Sequence, residues 1–296
     1  MLTARCGYLP GSNNLGVVRT GDGGAIAIDT GIDKDAARGL RKALDAAKLT
    51  LRAIINTHHH ADHIGGNAFL VRNIAGVAVY APVFEAALIG ETRIEPLYLN
   101  MGAAPPAPLT SKFVLAKAAA VDHTFDGATL EVAGVTLEVV ALPGHTLGQV
   151  GLALDGVCYA ADAFFGAQIV AKHVLPYAQH AGQQLQSLAT LAARDEAWYV
   201  PGHGEVLARA DLATTLEVNR AAIERVTQVV FDLLTEPADL HTLGRRVRAA
   251  LGIEIGAVAQ YAVFLSGVAG HLARLAHEGR AELVLNDGLV WRRVDA

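Results

Sequence analysis

The stretch NTHHHADHIGG, residues 56–66, places four histidines and one aspartate in six consecutive positions. The chain has 12 histidines in 296 residues, so a third of them crowd into one short run. An affinity tag is excluded, because the run is internal and Ala61 and Asp62 interrupt it. His58, His60, Asp62 and His63 read H-x-H-x-D-H. On a non-helical turn such neighbours point in different directions, so the run can serve two metals. Imidazole and carboxylate suit zinc or iron, and a catalytic site needs protein ligands plus an open position for water.

The run follows LRAIIN, a short apolar segment bounded by polar residues, which reads as a buried strand. Upstream, LGVVRT, GDGG and AIAIDTG read as a hairpin, and KDAARGLRKALDAAK, 34–48, as a helix. Downstream, a helical pattern restarts in HIGGNAFLVRNI before the strand VAVYAP. The histidines therefore sit at the carboxyl end of a strand, where α/β folds commonly place ligands.

The local run cannot close a metal shell alone. LPGHTLG and YVPGHGE each put a histidine, His145 and His203, after a strand and a Pro-Gly turn, and CYAADAFF presents Asp162 at a strand end. Taken singly, each would be read as a turn or capping residue; together they supply the missing donors.

These motifs, in this order, resemble the metallo-β-lactamase superfamily: HHHADH, His145 in PGHT, Asp162 in ADAFF, His203 in PGHG, and Asp29 in the earlier IDTG. The resemblance spans about residues 12–207. It implies an α/β fold, a four-layer αββα sandwich with the metal site along one edge of its two sheets. It further implies that His58, His60 and His145 hold a first metal, Asp62, His63 and His203 a second, and that Asp162 bridges them. The cofactor would be two divalent ions, zinc foremost, with iron or manganese as alternatives. Asp29 is implied to support the histidine loop, whereas His59 occupies a position the family does not use as a ligand. His123, His173, His180, His241, His271 and His277 have no partner motif and read as surface or structural.

Composition frames the remaining expectations. At 52% hydrophobic and 18% charged, the chain can build a substantial core. A net charge of -5 offers no electrostatic drive toward nucleic acid, so a small-molecule substrate is expected. The opening MLTARCGYLP lacks a basic-then-apolar pattern and no long apolar run follows, which predicts no membrane span and a cytoplasmic location. Cys6 and Cys158 read as ordinary thiols. Residues 83–120, with Pro96, Pro105, Pro106 and Pro108, read as a loop or short-helix excursion serving as a lid, a packed connection or a dimer contact. Beyond 208 the pattern changes to helices over 211–236, 239–251 and from Val258, then a hairpin turning at Asn286-Asp287-Gly288. This divides the chain into a metal-binding catalytic domain, 1–208, and a smaller helical, winged-helix-like domain, 209–296. Arg245, Arg246, Arg248, Arg292 and Arg293 suggest a polyanion surface, but acidic residues outnumber arginines there and lysine is absent, which favours a solvated face. A homodimer through this domain or the excursion is a further expectation.

Two cations sharing one water lower its pKa from 15.7 to roughly 7, so hydrolysis is the reaction class the resemblance implies. Asp62 would orient the resulting hydroxide and pass a proton to the leaving group. The superfamily's true β-lactamases lack a bridging aspartate, which sets Asp162 against that activity. Quorum-lactone hydrolases carry a tyrosine three residues after it, where Phe165 stands here. Glyoxalase II-like thioesterases share the phenylalanine and a helical C-terminal region, although their glycine and arginine signature is absent from GAQIVAK. Ester and thioester hydrolysis therefore leads. The alternatives are a mononuclear-iron, persulfide dioxygenase-like oxidoreductase, an RNA phosphodiester hydrolase, and a non-enzymatic binding module. Tyr177 in HVLPYAQH is a candidate substrate contact.

Overall fold

A computed structural model describes residues 1–294. Six strands form the first sheet in chain order: β1 (Cys6–Leu9), β2 (Leu15–Arg19), β3 (Gly24–Ile28), β4 (Thr50–Ile55), β5 (Ala78–Pro82) and β6 (His123–Phe125). The first three pair antiparallel and the rest parallel. The second sheet contains β7 (Thr129–Val132), β8 (Val135–Ala141), β9 (Val150–Leu154), β10 (Val157–Ala161), β11 (Trp198–Pro201) and β12 (Leu207–Ala208), with β10 and β11 parallel. β9 runs antiparallel to both β8 and β10, so β8, β10 and β11 all end at the same edge. The hairpin expected from LGVVRT begins at Leu15. β1 precedes it, a four-residue strand too short to show alternation.

Strand β3 explains the layering. It is buried on both faces, and its period of two sends Ile26 and Ile28 into the inter-sheet core and the small Ala25 and Ala27 outward. Across the inner core, Val18 and Ile55 meet Leu137, Leu152 and Tyr159 of the second sheet. On the outer face of the first sheet lie α1 (Lys34–Ala46) and, after the four-residue α2 (Ala61–Ile64), α3 (Asn67–Asn73). Leu40 and Leu44 of α1 are buried there, and Asp33 caps the helix by accepting from the Asp35 and Ala36 amides, a contribution of about 1 kcal/mol.

The excursion carries α4 (Val83–Gly90), α5 (Ile94–Leu99) and a 3-10 turn at Ala107–Leu109. After α6 (Ala167–Lys172), the outer face of the second sheet is covered by α7 (Ala181–Ala192) and the N-terminal half of α8 (Arg209–Asp232), through Leu188, Leu191, Leu212 and Leu216. The fold is thus helix, sheet, sheet, helix. The C-terminal half of α8 joins α9 (Leu240–Leu251), α10 (Val258–His277) and the hairpin β13 (Ala281–Asn286) and β14 (Gly288–Arg293) around a separate core that includes Val226, Val230, Leu243, Val247, Val268 and Leu272. The division expected at 208 falls just before α8, and this one helix contributes to both cores. Leu109 and Val114 of the excursion pack on Ala259 of α10, so the excursion is a packed connection within the chain. Among the described residues, no helix is long and apolar enough to cross a membrane.

Candidate metal centre

Strand ends from both sheets deliver the polar groups. His58, His60 and His63 follow β4, His145 follows β8, Asp162 follows β10 and His203 follows β11. The backbone bends sharply to aim them. Asp29, just past β3, has φ 59°, and Ala161, just before Asp162, has φ 48° at a register shift between β10 and β11. Two glycines are fixed by close approach: a Cβ on Gly144 would lie 2.2 Å from Gln184 N, and one on Gly202 would lie 2.0 Å from Asp162 Oδ1.

The seven expected donors come together. Ligand atoms of His58, His60 and His145 lie within 4.8 Å of one another, as do those of Asp62, His63 and His203. Asp162 stands between the groups, with Oδ2 3.3 Å from His145 Nε2 and 3.6 Å from His203 Nε2, and Oδ1 3.4 Å from His63 Nε2. His60 Nδ1 is 2.8 Å from His145 Nε2, and His203 Nε2 is 3.1 Å from Asp62 Oδ2.

The outward nitrogens decide which atoms face inward. His63 Nδ1 meets Asp29 Oδ2 at 2.8 Å, His145 Nδ1 the Tyr177 carbonyl at 3.0 Å, and His203 Nδ1 the Ser12 carbonyl at 2.8 Å. Each partner is an acceptor, so Nδ1 carries the proton and a neutral ring turns its Nε2 lone pair toward the centre. His58 Nδ1 lies 3.0 Å from Thr57 Oγ1, leaving its Nε2 inward as well. Asp29 also accepts from Thr57 N at 2.9 Å and Thr57 Oγ1 at 2.7 Å, tying β3 to the start of the histidine loop.

Lone pairs and carboxylates facing one another call for positive charge. Burial opposes protonation of His203, yet Asp162 and Asp62 lift its pKa to about 9. Burial likewise opposes charge on His63, and Asp162, Asp29 and Asp62 raise it well above the imidazole range. Burial would raise Asp162, but His203, His63 and His145 bring it down to about 2. Burial, reinforced by His63, holds His58 well below its usual value. Among these candidate donors, two buried atoms, His58 Nε2 and Asp162 Oδ1, have no hydrogen-bond partner. This donor set fits a metal ion.

Several contributors have no motif in the sequence. Asn13 Nδ2 lies 3.0 Å from Asp62 Oδ2, 3.4 Å from His63 Nε2 and 3.3 Å from His203 Nε2. Its loop is fastened to the His203 loop by Asn14, which bonds the carbonyls of Gly202, Pro201 and Gly204. Gln184 on α7 donates to the carbonyls of Asp162 and Ala163, and Asn219 on α8 bonds both the amide and carbonyl of Phe165. Glu85 and Tyr98, from the excursion, meet His59. Of the other histidines, His180 caps α7 and His271 is buried in the C-terminal core, while His123 stacks on Tyr80 from the surface.

Over the centre opens a cleft of about 130 Å³, lined by His60, Asp62, His145 and Asp162 on its floor and by Glu95, Phe113, Tyr177 and Val263 on its walls. The Tyr177 ring stands edge-on to His60 and His145, both 5.3 Å away, and its hydroxyl is 3.3 Å from Ser266 Oγ. The excursion and α10 therefore both shape the opening.

Comparisons with known proteins bear on the family and the fold. The family model described as the metallo-beta-lactamase superfamily matches residues 8–203. Hydroxyacylglutathione hydrolase from Vibrio campbellii is 34% identical over 136 residues, 46% of this chain and 42% of the relative. The same-named protein of Serratia proteamaculans is 31% identical over 136 residues, with the same coverage. The chain thus spans under half the length of the curated relatives it matches. Among solved structures, a metallo-beta-lactamase family protein from Thermus thermophilus superposes with a TM-score of 0.73 at 23% identity, covering 99% of this chain and 100% of that one. That likeness concerns the fold.

Proposed function

Because the chain belongs to the metallo-β-lactamase superfamily, we propose that its seven convergent donors hold a pair of divalent ions and that it hydrolyses a small thioester or ester. His58, His60 and His145 would hold one ion, Asp62, His63 and His203 the other, with Asp162 shared. Zinc suits this mixture of imidazole and carboxylate best, and iron or manganese fit the same donors. The observation that carries the reading is the pair of unpartnered buried atoms, His58 Nε2 and Asp162 Oδ1, in the midst of the donors. Leaving such atoms unsatisfied costs about 1–3 kcal/mol each, which a bound cation would offset. When bound, the ions would supply Lewis acidity and lower the pKa of coordinated water.

The chain's own groups would do the rest. Asp62, whose side chain is 27% exposed, reaches the cleft, where it can orient a water and carry its proton to the leaving group. Phe113, Val263 and the Tyr177 ring form an apolar wall that displaces solvent from the bond under attack. A cleft of this size suits a small acyl group, and the net charge of -5 disfavours an RNA strand. The thioester class is suggested by the relatives' name, hydroxyacylglutathione hydrolase. Residues 209–296 would serve as a C-terminal unit that completes the cleft through Val263 and Ser266.

A second reading is a single-iron oxidoreductase like the persulfide dioxygenases. It is favoured by the Asn13 amide, which sits among the three donors of the second position. Elemental analysis of protein expressed without added metal, followed by thioester, lactone and phosphodiester substrates on the same sample, separates the two. A zinc-loaded sample that cleaves thioesters or esters is expected. A single iron with no hydrolysis would favour the second reading.

A further inference from the structure

One buried carboxylate joins the two loops that carry the first triad. Glu85, in the first turn of α4, is fully buried. Its Oε1 accepts from Thr146 Oγ1 at 2.8 Å and from Gly148 N at 2.9 Å. Its Oε2 accepts from His59 N at 2.9 Å and also meets His59 Nδ1. His59 lies between His58 and His60, and Thr146 directly follows His145. Each carboxylate oxygen therefore grips a different ligand-bearing loop, one from each sheet. Glycine at 148 is part of the arrangement, because a Cβ there would lie 2.7 Å from Glu85 Oε1 and 2.8 Å from Phe84 Cβ. The far side of His59 is also held, its Nε2 lying 3.2 Å from the Tyr98 hydroxyl on α5.

We propose that Glu85 is a positioning residue for the first metal position, a role that rests on the two-ion reading above. It touches none of the donors. By fixing His59 and Thr146 it sets the approach of His60 to His145, which stand 2.8 Å apart. The donors of the second position hang on other supports: Asp29 for His63 and the Ser12 carbonyl for His203. Loss of the Glu85 contacts should therefore act on one position and spare the other. Partners of this kind typically change metal affinity 10- to 100-fold.

The variant Glu85→Gln keeps the shape but turns an amide NH2 toward donors, so one loop loses its anchor. Thr146→Val removes a single hydroxyl and tests the same contact in a protein less exposed to misfolding. Zinc competition against a chromophoric chelator, on the full chain, resolves the binding steps, which His58→Ala and His203→Ala assign to the first and second positions. The first step is expected to weaken about 10- to 100-fold in Glu85→Gln and by less in Thr146→Val, with the second step unchanged. Unchanged first-step affinity in both variants, or equal weakening of both steps, would overturn the proposal. A wild-type chain that takes one ion contradicts the two-ion reading instead; the role of Glu85 then stands or falls on that ion's affinity in Glu85→Gln.

Discussion

The Asn13 amide nitrogen lies 3.0 Å from the Asp62 carboxylate, with His63 Nε2 and His203 Nε2 at 3.4 and 3.3 Å. One NH2 group thus stands beside three ligand atoms, and it donates to the Asp62 carboxylate. The substitution Asn13→Asp replaces that donor with a further carboxylate, an additional anionic ligand beside Asp62. Zinc should bind the second position about tenfold more tightly, while the metal-free protein loses stability because two carboxylates face each other. Paired zinc titration and urea unfolding test this, and weaker zinc binding would contradict it.

Asp29 accepts three hydrogen bonds, two from Thr57 and one from His63. In Asp29→Asn, the amide NH2 cannot accept, so either His63 or Thr57, which supports His58, loses its partner. Zinc affinity is expected to fall about 10- to 100-fold through the ligand left without support. A chelator competition curve that superposes on wild type would rule this out.

Tyr177 contributes through two separate atoms. Its backbone carbonyl holds His145, whereas its ring and hydroxyl face the cleft and Ser266. Tyr177→Ala keeps the carbonyl and removes the wall, so metal content should hold while KM rises several-fold. Loss of metal in this variant would show that the ring, not the carbonyl, supports the site.

His271 supplies a pH prediction away from the metal centre. It is buried on α10, its Nδ1 lying 2.8 Å from Thr227 Oγ1. Burial, with the nearby Arg274 cation, lowers its pKa to about 3. Arg274 itself pairs with Glu224 and Glu278. The unfolded chain, with His near pH 6.5, takes up the proton first as pH falls. The stability this neutral histidine contributes is therefore complete above about pH 6.5 and declines toward pH 3, by at most about 1.4 kcal/mol per unit. His271→Gln should flatten the loss of stability between about pH 6.5 and 4.5, measured by urea unfolding. Identical slopes would refute the assignment.

Most of the sandwich and the seven residues proposed as donors were legible because their cues are local. Each donor follows an apolar strand, and Pro-Gly or His-Asp spacing marks the turn. The C-terminal helices showed themselves through apolar periodicity, although α8 ends at Asp232 rather than 236, where Pro237 follows closely and disfavours helix before it. Asn13, Glu85, Gln184 and Asn219 were hidden. Their functions arise from contacts between distant segments: Asn13 meets His203 only because Asn14 is pinned to the 201–204 turn. Nothing beside Glu85 in the sequence announces that its carboxylate will accept four bonds from two loops.

The central claim is that the seven donors hold a pair of ions around a shared Asp162. Elemental analysis of the purified chain beside its Asp162→Asn variant tests it most directly. The account predicts a pair of divalent ions in the wild type, with metal content and hydrolysis falling together in the variant. Wild-type metal content and activity in Asp162→Asn, or a native chain that takes up no metal, would contradict it.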